Sequence, residues 1–177
     1  MKKYLPGSSV EMLEAGAGAA EKLLSDLYIG GDLVLSQVSK ITGLEPHMIQ
    51  NWVARGFLSP PKNKKYTRRQ LSRILIINML RSVLSLDEIC SLLSYVNGLL
   101  DDESDDSIDD ARLYMYMVAM TIEGEEDCAK ILKDYTEPFE GAKKRVEDIL
   151  KIMVTAYEAS ELKRRAEDMI KEIIKKG

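Results

Sequence analysis

Residues 33–81 read LVLSQVSKITGLEPHMIQNWVARGFLSPPKNKKYTRRQLSRILIINMLR, and SVLSLDEICSLL follows over 82–93. Leu35, Val38 and Ile41 recur at helical spacing, and the segment closes at Thr42-Gly43, where glycine can take the left-handed turn that ends a helix. Pro46 suits the first turn of a second helix, since the N–H it lacks has no partner there. Within that helix Ile49, Trp52 and Val53 face inward, which leaves His47, Gln50 and Asn51 on the outer side, and Gly56 ends it. Phe57-Leu58 and Lys65-Tyr66 are expected to pair as a short ribbon around Pro60-Pro61-Lys62-Asn63-Lys64, a place where proline is tolerated because both strands lie at an edge. Thr67 with Gln70, and Ser85 with Glu88, form capping boxes that open two further helices. The order is helix, turn, helix, wing.

Charge singles out the same stretch. Residues 33–82 hold nine bases (Lys40, Arg55, Lys62, Lys64, Lys65, Arg68, Arg69, Arg73 and Arg81) and one acid, Glu45. The segment carries +8, which leaves −12 for the remainder of a chain whose net charge is −4. A basic module within an acidic chain points to one face that meets a polyanion.

Outward from this core, residues 9–29 are expected to form a helix capped by Ser8 and Glu11, with Met12, Ala19, Leu23 and Leu27 on its apolar stripe. Gly30-Gly31 breaks it. On the other side, residues 101–110 read DDESDDSIDD, seven acids in ten, and are expected to be a solvated linker. Helices are expected over about 108–122, about 125–135, and from Phe139 to Lys175. The last carries an apolar stripe from Val146 through Ile149, Leu150, Met153, Tyr157, Leu162, Ala166, Met169 and Ile170 to Ile173 and Ile174, a length that suits a helix packing with a partner. The expected organisation is an N-terminal helix over 1–32, a winged helix-turn-helix over 33–100, an acidic linker over 101–110, and a helical dimerisation and effector domain over 111–177. The fold class is mainly α.

No apolar run reaches the roughly 18–20 residues of a membrane span. The start, MKKYLPGSSV, has lysines without an apolar run after them, so no secretory signal is expected. Two separated cysteines, Cys90 and Cys128, suit a reduced cytoplasmic setting. The acidic run fails as a calcium loop: with Asp101 first, the sixth and twelfth positions are Asp106 and Arg112 instead of glycine and glutamate. His47 and the cysteines have no zinc spacing. Cys90 lies on an apolar stripe and reads as core. Met115, Met117 and Met120 with Tyr114 and Tyr116 could line an adaptable pocket, although ordinary helix core is the favoured reading. No phosphate loop, nucleophile elbow or carboxylate pair with a base is present, so neither catalysis nor a cofactor is expected.

In a helix-turn-helix the second helix enters the major groove. Gln50 and Asn51 carry amides that can read adenine, with His47 one turn earlier. Lys62, Lys64 and Lys65 on the wing, with Arg55, Arg68 and Arg69, would contact phosphates and set register. Ser36 and Tyr66 complete the expected DNA-binding set.

The segment resembles the winged helix of MerR-type regulators in Thr42-Gly43-Leu44, Gly56-Phe57-Leu58-Ser59-Pro60, Tyr66-Thr67 and Leu86-Asp87-Glu88-Ile89. It departs at Gln50-Asn51-Trp52, where MerR proteins usually carry Arg-Tyr-Tyr. A closer likeness is to a bacterial domain-of-unknown-function family, number 1836, of MerR-like winged helices. That likeness lies in Leu27-Tyr28, IQNWVARGFL, KKY and IINMLRSVLSLDEI, and it covers roughly residues 27–160. The resemblance implies DNA binding without naming an operator or ligand. The expectation is a DNA-binding transcriptional regulator acting as a homodimer on double-stranded DNA, with a small-molecule effector as a further possible partner. A protein-interaction adaptor built on the same fold is the alternative.

Overall fold

The computed structural model describes residues 3–14, 16–100, 102–124 and 127–176. Ala15, Asp101, Glu125 and Glu126, which fall within segments discussed above, lie outside the described residues. The fold is mainly helical and ends in a long helix.

The first departure comes at once. Residues 9–29 do not form one helix. Two-residue strands β1 (Lys3–Tyr4) and β2 (Glu11–Met12) pair antiparallel, and helix α1 spans only Ala17–Leu27. The reason lies in long-range bonds that periodicity does not register. Ser8 accepts from the Val10 N–H at 3.0 Å instead of capping a helix. Ser9 donates to the carbonyls of Lys40 and Ile41 at 2.8 and 3.1 Å. Gly7 sits at φ +75 with its Cα against a neighbouring helix, where an added Cβ would lie 2.2 Å from the Leu75 carbonyl oxygen.

Strand β3 (Leu33–Val34) leads directly into α2 (Leu35–Thr42), which closes at Gly43 with φ 71. Thr42 donates to the Val38 carbonyl at 2.8 Å and accepts from the Leu44 N–H at 3.3 Å, and Ser39 donates to the Leu44 carbonyl at 2.6 Å. These bonds satisfy the turn that leads into α3 (Pro46–Ala54). Strand β4 (Lys65–Tyr66) pairs with β3, matching Leu33 to Tyr66 and Val34 to Lys65. The expected partner, Phe57-Leu58, is not a strand. Both of its side chains are buried, so they cannot alternate across a ribbon, and the Phe57 carbonyl accepts from Arg73 Nε at 3.0 Å. The hairpin tip lies between Lys62 and Lys65, with Asn63 and Lys64 both at positive φ, 50 and 61. A two-residue turn of that kind matches the twist of its strands.

Helix α4 (Arg68–Leu80) opens on the expected box: Gln70 Oε1 accepts from the Thr67 N–H at 2.9 Å, and Thr67 accepts from the Gln70 N–H at 3.3 Å. Ten of its thirteen residues are buried, so it has no solvent stripe and serves as the centre of the fold. Helix α5 (Leu86–Asn97) opens on the Ser85–Glu88 box. Helix α6 (Asp110–Glu123) is capped by Asp109 and packs on α1 and α4. Among its described residues, the segment expected as a helix over 125–135 contains α7 (Cys128–Ile131) alone. Helix α8 (Ala142–Lys176) packs on α4, α5 and α6 through Val146, Ile149, Leu150, Met153 and Ala156. One apolar cluster joins the helices before and after the acidic stretch.

The acidic stretch is not simply a solvated linker. The Asp110 side chain is buried against α4, and that of half-buried Asp106 is largely covered there. Arg69 pairs with Asp106 and, at 3.0 Å, with Glu103, while Asp109 and Asp110 each lie 3.9 Å from its Nε. Arg73 donates to Asp110 at 3.2 Å, and Asn97 donates to the other Asp110 oxygen at 2.9 Å. Asn97 Oδ1 accepts from the Ile108 N–H at 3.3 Å.

Two outcomes test these contacts. Gly7→Ala is expected to cost about 2 kcal/mol or more through its positive φ and the Leu75 clash, read as a lower urea midpoint at unchanged slope. Asp110→Ala leaves Arg73 buried without its counter-charge and is expected to cost about 3–5 kcal/mol by the same measurement.

Candidate functional site

The outer face of α3 is set by what its inner face buries. Ile49 and Trp52 are inaccessible to solvent and fix the rotation of the helix, so His47, Gln50 and Asn51 are exposed. Ser36 is exposed in the first turn of α2. Lys62, Lys64 and Lys65 are exposed on the β-hairpin. Arg55 is exposed just past α3, with its guanidinium 4.4 Å from the Phe57 ring centroid and 3.8 Å from an Asp87 oxygen.

Three residues expected in this set are placed differently. Tyr66 is only 2% exposed: its strand partner Leu33 turns the same way, into the core, and burial raises its phenol. Arg69 is held by the carboxylates of the acidic stretch, which compete directly for the charge that was expected to meet phosphate. Arg68 is half-buried and donates to the Ser25 hydroxyl at 3.3 Å. The exposed residues of the set are therefore Ser36, His47, Gln50, Asn51, Arg55, Lys62, Lys64 and Lys65.

Sequence periodicity assigns Leu35 and Val53 wholly to the core. Instead, with Pro61 and Tyr66, they line a cleft of about 390 Å³ between α3 and the hairpin, and Gln50 and Lys64 complete its wall. The half-buried state of Leu35 and Val53 comes from the β3–β4 pairing, which positions the hairpin beside α3. That pairing has no signal in local spacing.

The methionine and tyrosine group divides. Tyr114, Met117 and Met120 are core, and the Tyr114 hydroxyl donates to the Pro6 carbonyl at 2.7 Å. Met115 and Tyr116 line a second cleft of about 470 Å³ together with Ala17, Glu21, Ala119 and Lys133. Tyr116 accepts from Arg112 Nε at 2.9 Å. Burial raises the thiols of both Cys90 and Cys128, which keeps them protonated. Among the described residues no group of three or more His, Cys, Asp or Glu side chains is arranged to hold a metal ion, and no helix is long and apolar enough to cross a membrane.

A family model described as "Domain of unknown function (DUF1836)" matches residues 27–117, just over half of the chain, and the chain belongs to that family. An "Uncharacterized protein YkrK" of Bacillus subtilis (strain 168) is 29% identical over 102 residues, which cover 55% of this chain and 39% of the relative. The chain thus spans about two fifths of that relative's length. No solved structure matches.

Proposed function

We propose that this member of the DUF1836 family is a DNA-binding transcriptional regulator, with no enzymatic activity, that works in the cytoplasm as a homodimer. Residues 33–93 act as a MerR-like winged helix-turn-helix, with α3 as the recognition helix and the hairpin as the wing. The observation that carries this reading is the exposed set His47, Gln50 and Asn51 on one helix face, beside a hairpin whose tip presents three lysines. The amides suit base edges, and the lysines suit phosphates. The 470 Å³ cleft at Met115 and Tyr116 is available to a small-molecule effector.

The homodimer part draws on α8. Its buried stripe ends near Ala156, and Lys163 donates to the Ser82 carbonyl at 3.2 Å. Beyond that point Leu162 and Ile173 are 61% and 71% exposed, and Met169, Ile170 and Ile174 are exposed with them. Leu162, Ala166, Met169 and Ile173 follow spacings of four, three and four, the pattern of a two-helix seam. The same apolar face favours a second reading, in which the chain is an adaptor that docks a different protein through α8.

A gel shift on genomic fragments across a salt series separates the two. The regulator is expected to lose affinity with a log–log slope of about −0.9 per phosphate contacted, and Lys64→Ala to make that slope shallower by about 0.9. Gln50→Ala and Asn51→Ala are expected to relax sequence preference, each costing about 1–3 kcal/mol at the preferred site. A flat salt response, or no binding at low salt, removes the regulator reading and leaves the adaptor.

Sedimentation equilibrium tests the pairing. The dimer mass is expected for the natural chain, and the monomer mass for Leu162→Glu combined with Ile173→Glu, two exposed positions whose change leaves the core intact. A natural chain that sediments as a monomer would refute self-association.

A further inference from the structure

The cleft beside α3 is apolar in an otherwise polar and basic face. Leu35, Val53, Pro61 and the Tyr66 ring supply its lining, and Gln50 and Lys64 supply its polar wall. Among the described residues that line it none is acidic, and Lys62 and Lys65 flank Lys64 on the hairpin. Charge and apolarity together constrain the occupant. It must present an apolar group from within an anionic surface. An apolar side chain on a neutral or basic protein surface meets the first condition without the second. A DNA duplex meets both, because the thymine 5-methyl is the apolar group on the major-groove edges of its base pairs and phosphates border the groove on either side.

The cleft's position adds a constraint on register. Gln50 and Val53 are three residues apart on α3, hence neighbours on one helix face. If Gln50 spans the N6 and N7 groups of an adenine, Val53 and the hairpin side of the cleft lie over an adjacent base step. The walls are fixed before any ligand arrives: Ile49 and Trp52 anchor α3, Tyr66 is locked in its strand pair, and proline restricts the backbone at 61.

We propose that this cleft receives thymine 5-methyl groups, so that Val53, Leu35 and Pro61 select thymine at the step next to the base read by Gln50. The inference rests on the DNA-binding reading of the same face and adds residues that no polar contact would reveal.

The experiment uses the full chain. A preferred duplex is selected from random sequence, and each thymine in it is then replaced singly by deoxyuridine, which removes the methyl and keeps the pairing. One or two thymines adjoining the Gln50-dependent position are expected to lose about fourfold in affinity, the worth of one buried methyl, and the others to change little. Val53→Ala should abolish that difference between thymine and uracil while still binding DNA. Should Val53→Ala not fold by circular dichroism, Pro61→Ala, at the hairpin edge of the cleft, takes its place. DNA binding with no sensitivity to uracil at any position overturns the proposal and leaves the regulator reading standing. A Val53→Ala loss that is equal for both duplexes means that the thymine methyl is not what the cleft receives, and this too overturns it. No binding to any duplex at low salt overturns the regulator reading and the inference with it.

Discussion

The buried contact between Arg73 and Asp110 is the polar interaction on which several parts of this fold converge. Arg73 donates both to Asp110 and to the Phe57 carbonyl, and Asp110 also accepts from Asn97. One guanidinium thereby ties the segment after α3, the end of α5 and the start of α6 to the central helix. A buried pair of this kind adds little net stability over a well-packed apolar replacement, because desolvation offsets most of the attraction. Its effect is to fix which residues meet. Burial pushes the carboxyl groups of Asp106 and Asp110 up from the usual carboxylate range, against the pull of the neighbouring arginines.

That cluster changes how the charge of the chain is distributed. By sequence, +8 in one segment faces −12 elsewhere, as two separate regions. In the structure the two partly cancel across α4, where Arg69 and Arg73 are engaged by the acidic stretch. The basic surface that remains is smaller and more localised, centred on Lys62, Lys64 and Lys65 at the hairpin tip and on Arg55 beside α3. A localised patch next to exposed amides is better suited to holding a register than a basic charge spread over the whole segment.

What could be read from the sequence follows the range of the interaction. The Thr67 and Ser85 boxes, the Gly43 turn and Pro46 at the start of α3 are all decided within four residues, and all appear where the residues predict. The outer face of α3 was legible for the same reason, since the burial of Ile49 and Trp52 fixes its opposite side. Three of the failures are long-range. Residues 9–14 follow a helical pattern, yet Ser9 bonds to carbonyls some thirty residues away. Leu33–Val34, not Phe57-Leu58, pairs with the hairpin, because Phe57 and Leu58 have better use as core. Arg69 looked like its neighbours until a segment nearly forty residues downstream supplied its carboxylates.

The long-range pairings also determine how the two ends of the molecule relate. Helix α4 packs on α2 at one side and on α6 and α8 at the other. Between α3 and the buried half of α8 the path therefore runs through side chains that are packed and, at Arg73 and Asn78, hydrogen-bonded to the backbone or to other elements. Asn78 alone donates to the Gly7 and Thr42 carbonyls, joining the N-terminal turn to the end of α2. Within the acidic stretch, Glu103, Asp106 and Asp110 are anchored on α4 through Arg69 and Arg73. If two copies join through the exposed half of α8, their α3 helices are then held at a separation set by rigid packing and not by a tether. A fixed separation suits half-site reading, because recognition helices must match grooves about 34 Å apart along the duplex. A tethered pair would tolerate variable half-site spacing, whereas the proposed dimer would be constrained to one.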